Sequence, residues 1–232
     1  IKKRKKNFFE QFDFLSMYLS AKDKSGKKFN DKELIEEIIT LIVAGYETSA
    51  GTLNWAWYLI ANNPNIEKKI HTESSPIFSG KGDLNYESVI NMQYTQQVLE
   101  ETLRLYPPVW LFSRKSINDD NLGKYDIPIN SDLFLSPYIL HRSREFWRNP
   151  KKFNPDRFDK SRKLKNNNAF IPFSLGPRRC LGEYFSFLEM KIHLGYLISK
   201  FKIKKSHSED PSLNLGINLR SKNDIFLEFK PR

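Results

Sequence analysis

The sequence predicts a mainly α-helical fold with small β-sheets. Three observations carry that expectation. A helix-start signal at Asn30 opens a long apolar-periodic run that lasts until Asn62-Asn63-Pro64. A second helical pattern fills residues 181–200. Between them, residues 109–140 change to alternating and turn-forming residues.

Taken in order, residues 8–20 (FFEQFDFLSMYLS) carry apolar side chains at mixed spacings of three and four, which predicts an amphipathic helix. Residues 21–29, rich in Lys, Gly and Ser, read as a loop. Asn30 stands three residues before Glu33, a capping-box pattern. The helix it opens should end near Asn62, because Pro64 cannot continue it. Its centre, Ile38–Val43, is apolar all round, which predicts burial on several sides. Gly45 and Gly51 follow, each costing about 1 kcal/mol against Ala inside a helix. Glu47 and Thr48 stand between them. A transmembrane span is the competing reading, but Glu47 and Asn54 break the apolar run. Residues 64–71 predict a short helix, 74–85 a loop, and 86–105 one helix ended by Pro107-Pro108. Val109–Arg114, Lys124–Ile127 and Asp132–Tyr138 predict strands around turns at Asn121–Gly123 and Pro128–Ser131. Residues 141–170 are irregular, and the tail from Lys202 reads as short strands and turns.

Composition narrows the function classes. The chain has 232 residues, 39% hydrophobic and 28% charged, which is neither a disordered tail nor a coiled coil. The net charge is +11, yet the basic residues are dispersed among acidic ones. No zinc-finger, RNA-recognition or helix-turn-helix signature accompanies them, so the expectation is no nucleic acid. A basic surface suits an acidic protein partner or an anionic membrane. The single cysteine, Cys180, excludes an internal disulfide framework and a multi-cysteine zinc site.

Cys180 lies just before the 181–200 helix, beside Arg178 and Arg179. A helix N-terminus and neighbouring cations both favour a thiolate, which could act as nucleophile or metal ligand. Gly176 permits a tight turn, and Gly182 would let a flat ligand approach the helix start. The ordinary alternative is a buried structural cysteine. Elsewhere, Glu101 and Arg104 fall on one helix face at i,i+3, a spacing that most often gives a minor surface ion pair.

Together these residues resemble a known family. The pattern Phe173-x-x-Gly176-x-Arg178-x-Cys180-x-Gly182 is similar, at all five fixed positions, to the haem-binding loop of the cytochromes P450. The resemblance implies that Cys180 is the axial thiolate of a haem iron, which favours O–O cleavage. It implies that Arg178 pairs with a haem propionate and that Phe173 packs on the thiolate side. Glu101-Thr-Leu-Arg104 resembles the family's Glu-x-x-Arg helix. Pro155-Asp156-Arg157-Phe158 resembles its Pro-Glu-Arg-Phe segment, with Asp in place of Glu, so Arg157 becomes the third member of a structural triad. Ala44-Gly45-Tyr46-Glu47-Thr48 resembles the oxygen-binding segment. There Ala44 and Gly45 would border the cofactor, a widened turn would admit O2, and Glu47 with Thr48 would relay protons. Arg114 would be a further propionate partner, Val109–Ser113 would line the substrate pocket, and His141-Arg142 would give structural support.

The resemblance covers about residues 30–201 and implies the C-terminal half of the family fold, a single partial domain over 1–232. Its parts would be an oxygen-binding helix (30–63), a Glu-x-x-Arg helix (86–106), a small β region (109–140), a meander (141–172) and the haem-ligand loop with its following helix (173–200). The implied cofactor is haem b (iron protoporphyrin IX), with electrons ultimately from NAD(P)H. The implied activity inserts one oxygen atom of O2 into an apolar C–H substrate, such as a fatty acid or carotenoid. The implied electron donor is a ferredoxin or a flavoprotein reductase, with Arg178, Arg179 and Lys191 as docking charges. The location would be cytoplasmic in a bacterium, or the cytosolic face of a membrane in a eukaryote, through a segment outside this sequence. Two other readings remain at this stage: a fragment that binds little haem, and a haem-thiolate isomerase or peroxygenase.

Overall fold

The structure, a computed structural model, describes residues 1–6, 13–80, 84–159, 161, 167–206 and 209–232. Residues 8–12 of the helix expected over 8–20, the loop residues 81–83, and residues 160 and 162–166 lie outside the described residues. The chain forms two compact units, Ile1–Glu47 and Thr48–Arg232.

The first unit holds α1 (Lys2–Lys6), α2 (Phe14–Ser20) and the start of α3 (Asp31–Ala61). Asp13 caps α2 by accepting the Ser16 N–H at 2.8 Å, and Arg4 binds its other carboxylate oxygen at 2.6 Å. The capping box opens α3 as the sequence predicts. Asn30 Oδ1 accepts the Glu33 N–H at 3.0 Å, and Glu33 Oε2 accepts the Asn30 N–H at 2.8 Å. Burial of the Ile38–Val43 turn on several sides is not found. Ile39, Ile42 and Val43 are each more than half exposed. Among the described residues of this unit, two short helices and the turn around Gly26 supply too little apolar surface to wrap a helix all round.

The second unit contains the end of α3, then α4 (Pro64–Phe78), α5 (Tyr86–Ile90), α6 (Gln93–Leu105), α7 (Pro137–Leu140) and α8 (Glu183–Lys200). Its core joins Ala56, Trp57 and Ile60 of α3, Ile70 of α4, Val98 and Leu99 of α6, and Met190, Leu194 and Ile198 of α8. Helix α4 runs through residues 74–78, where a loop is expected. Ile70, Ser74 and Phe78 share one buried face at i,i+4 spacing, which holds the last turn even though Pro76 has no N–H for the Thr72 carbonyl. The expected helix 86–105 is two helices. The Asn91 N–H folds back onto the Glu87 and Val89 carbonyls and ends α5. Helix α6 then begins without a cap of its own. Glu73 of α4 supplies one, accepting the Tyr94 and Thr95 N–H groups at 2.7 and 2.8 Å.

Four antiparallel strand pairs complete the unit. β1 (Phe112–Lys115) pairs with β4 (Asp132–Leu135), and β2 (Asp120–Leu122) with β3 (Tyr125–Ile127). β5 (Phe201–Lys205) pairs with β8 (Leu227–Pro231), and β6 (Leu213–Leu215) with β7 (Leu219–Ser221). Asn121 and Leu122, expected in a turn, belong to β2. The hairpin turns at Gly123, whose φ of 61° an L side chain rarely adopts. Ser136 caps α7 through the Ile139 N–H, so the strand expected to reach Tyr138 stops at Leu135.

Candidate functional site

The loop 173–182 is built by its own backbone. The Cys180 N–H donates to the Phe173 carbonyl at 2.8 Å, and the Arg179 N–H to the Gly176 carbonyl at 3.1 Å. Ser174 and Gly176 take φ of 62° and 63°. At Gly176 that conformation is free of steric cost, whereas at Ser174 it is strained. The Phe173 ring meets Phe187 of α8 edge-on at 5.4 Å, which fixes the loop to the helix that follows it. The result presents Cys180 as an exposed free thiol. That is the reverse of the buried structural cysteine that the residue type alone favours. A Cβ at Gly182 would lie 3.8 Å from the Cys180 sulfur, so glycine there keeps the sulfur open.

Arg114 on β1 reaches toward this loop. Its Nη2 lies 3.4 Å from Ser174 Oγ, and its guanidinium stands 4.8 Å from the Phe112 ring centroid. Arg178 is exposed at the loop tip. Arg179 makes a two-bond pair with Glu183 one turn along, at 2.7 and 3.0 Å, and the carboxylate raises its pKa. A cleft of about 540 Å³ between α5–α6 and the start of α8 is bordered by Cys180, Glu100, Glu183 and Lys191. Lys191 is not a surface docking charge. It is 5% exposed, and its Nζ donates to the Ile90 carbonyl at 2.9 Å at the end of α5. Its charge serves a helix C-terminus instead.

Behind the loop, Glu101 and Arg104 of α6 are both fully buried. Arg104 binds both carboxylate oxygens of Glu101, at 2.7 and 2.9 Å. Arg157 joins the same carboxylate at 3.2 Å from the 3-10 turn Pro155–Phe158. The remaining Arg104 donors reach the carbonyls of His141 and Pro150 at 2.8 Å and of Lys152 at 3.3 Å. The Asn154 N–H adds a further bond to Glu101 at 2.9 Å. Three segments of irregular chain are therefore tied to one buried ion cluster. Asn154 and the carbonyl acceptors escape sequence reasoning because a carbonyl carries no residue signature. The Asn154-Pro155 turn signal is the one available clue. His141 is buried beside the cluster, where its Nε2 accepts the Ile171 N–H at 2.9 Å. Burial, with the Arg104 charge second, lowers its pKa to about 3, so the ring is a neutral acceptor.

Ala44, Gly45, Glu47 and Thr48 lie within α3. The widened turn expected at Gly45 is not found: α3 is α-helical without interruption from Asp31 to Ala61. The glycine lowers helix propensity without breaking the i→i−4 ladder.

The donor chemistry fits a haem thiolate better than a bare metal ion. One exposed thiol stands between a glycine-opened helix start and two arginines. Among the described residues, no three His, Cys, Asp or Glu side chains are grouped to hold a metal. The comparisons agree with that reading. The family described as Cytochrome P450 matches residues 1–227. Cyclooctatin synthase of Streptomyces melanosporofaciens is 36% identical over 194 residues, 83% of this chain and 42% of its own length. Human cytochrome P450 4V2 is 33% identical over 223 residues, 94% of this chain and 42% of its own. A crystal structure of a cytochrome P450DA mutant haem domain superposes with a TM-score of 0.92 at 25% identity, over all of this chain and 51% of that one. The chain belongs to the cytochrome P450 family, whose members are haem-thiolate oxidoreductases that use haem b and electrons from NAD(P)H through a partner. It spans less than half the length of the curated relatives it matches. Among the described residues, no helix is long and apolar enough to cross a membrane.

Proposed function

We propose that this chain is the haem-ligating portion of a monooxygenase that inserts one atom of O2 into a C–H bond of an apolar substrate. The observation that carries the proposal is the exposed Cys180 thiol, held by a self-bonded loop that is itself tied to α8. In this reading the Cys180 thiolate would hold the haem iron, and Gly176 and Gly182 would leave room for the ring. Arg178 and Arg114 pair with the propionates, and Phe173 shields the sulfur. Bound haem supplies electron transfer and O2 activation, which no side chain can provide. The Thr48 hydroxyl and the Glu47 carboxyl would be the proton-donating groups for that chemistry, and Ala44 and Gly45 precede them on the same helix. The Glu101–Arg104–Arg157 cluster positions the loop and touches no reactant.

The apolar side chains of Val109 and Leu111, both partly exposed, support an apolar substrate of the fatty-acid or carotenoid kind. The electron donor would be an acidic ferredoxin or flavoprotein drawn to the basic surface. The test is the spectrum of haem-loaded protein, reduced and exposed to carbon monoxide. A long-wavelength thiolate-type Soret band that Cys180→Ser abolishes supports the proposal. A histidine-type band, or one that survives the substitution, overturns it.

A further inference from the structure

Trp55 lies deep in the second unit, 1% exposed, and its indole Nε1 has no acceptor among the described residues. The Tyr106 ring lies parallel to it, with centroids 3.9 Å and planes 3° apart. Nearly one turn further along α3, the Tyr58 ring meets Trp55 edge-on at 6.0 Å. Tyr58 donates its hydroxyl proton to Asp210 Oδ1 at 3.0 Å, and Lys205 binds the same carboxylate at 2.6 Å. The Arg142 guanidinium stands 5.5 Å from the Tyr106 ring centroid.

Indole and phenol are the aromatic side chains most easily oxidised by one electron, and these three differ in what oxidation would do to them. Trp55 has no base to take its proton, so its cation radical stays protonated and passes the charge on. The stacked Tyr106 ring spreads that charge, while the Arg142 cation opposes its coming to rest there. Tyr58 can lose electron and proton together, because Asp210 already accepts its hydrogen bond. Its phenol stays protonated at neutral pH, since burial and the Asp210 carboxylate push its pKa up to about 12.

We infer that Trp55, stacked on Tyr106, and Tyr58, hydrogen-bonded to Asp210, form a relay that carries one-electron oxidising equivalents from the core to the surface. An oxidant of the one-electron class takes an electron from Trp55. The Trp55 cation recovers it from Tyr58, the Tyr58 proton passes to Asp210, and a neutral phenoxyl radical remains. A soluble thiol- or ascorbate-class reductant returns the electron, and Asp210 returns the proton. The relay protects the core from oxidative damage, and it stands whether or not the chain binds haem.

The test needs no cofactor. The chain is irradiated in the indole band, with a cobalt(III) ammine to take up the ejected electron and a nitroso spin trap present. Peptide mass spectrometry then locates the adducts. Adduct at Tyr58 is expected to fall several-fold in Trp55→Phe and in Asp210→Asn, while the exposed Tyr125 and Tyr196 keep their levels. Unchanged Tyr58 labelling in both variants overturns the relay. Should circular dichroism show Trp55→Phe unfolded, the surface variant Asp210→Asn decides alone: loss of adduct supports the relay and an unchanged level overturns it.

Discussion

Arg104 and Glu101 meet through two parallel N–H···O bonds, and neither side chain has any exposed area. Two charges withdrawn from water this completely cost more than their attraction returns unless every donor and acceptor is filled. Here the carbonyls of His141, Pro150 and Lys152 and the Asn154 N–H fill them. Removing one partner strands the other, so Glu101→Ala should lower unfolding free energy by about 3–5 kcal/mol. Arg157→Ala, which removes a partly exposed member, should cost less. Urea unfolding midpoints check both, and equal losses in the two variants would contradict this ordering.

How much of this was legible beforehand differs by element for physical reasons. The start of α3 could be read because Asn30 and Glu33 satisfy each other within four residues. The division between α5 and α6 could not, because the apolar face continues across it and Met92, in the gap, is fully buried. The cap of α6 comes from Glu73, twenty-one residues earlier, and no local pattern reports that. In the candidate site, the cysteine loop and the ion triad were legible because their chemistry sits in side chains at fixed spacing. The backbone that completes the triad was not. Lys191 reads as surface charge because a lysine is normally solvated, and only the packing of α8 against the end of α5 shows otherwise.

Gly195 of α8 lies close against Met92 and against Phe78 and Ser74 of α4. A Cβ there would stand 2.6 Å from Met92 Cε and 2.8 Å from Phe78 Cε2. Alanine gains about 1 kcal/mol of helix propensity over glycine. The methionine end is flexible but fully buried, and the Phe78 ring is rigid and 6% exposed, so neither gives way without cost. Overpacking of this kind costs about 1–3 kcal/mol. Gly195→Ala should therefore lower Tm, and Gly195→Ala with Phe78→Leu should recover part of the loss. A calorimetric Tm at or above the parent's would show that the two helices separate freely.

Charge reversal separates the basic residues near Cys180. The Arg179 side chain is 61% exposed, whereas Lys191 is held by the Ile90 carbonyl. If an acidic donor docks here, Arg179→Glu should slow reduction at low ionic strength, and the deficit should shrink as salt rises. Lys191→Met should lower stability and leave the salt dependence of reduction as it was. Stopped-flow reduction across a salt series checks this. A salt-dependent defect in Lys191→Met would return that lysine to the docking face.

His141 gives the fold a pH dependence whose sign follows from its burial. The ring titrates at 6.5 when unperturbed and at about 3 in the folded chain. Between those values the unfolded state binds the proton and the native state does not, so stability falls as pH falls. The contribution is complete above 6.5, and it is lost at up to about 1.4 kcal/mol per pH unit down to 3. Protonation would also cost the bond from the Ile171 N–H, because imidazolium has no acceptor. His141→Asn offers an uncharged amide oxygen at the same place. It should be less stable than the parent at pH 7, because the smaller side chain leaves buried space, and the gap should close as the pH falls toward 4. Parallel curves of unfolding free energy against pH for the two proteins would mean that His141 is already solvated in the native state.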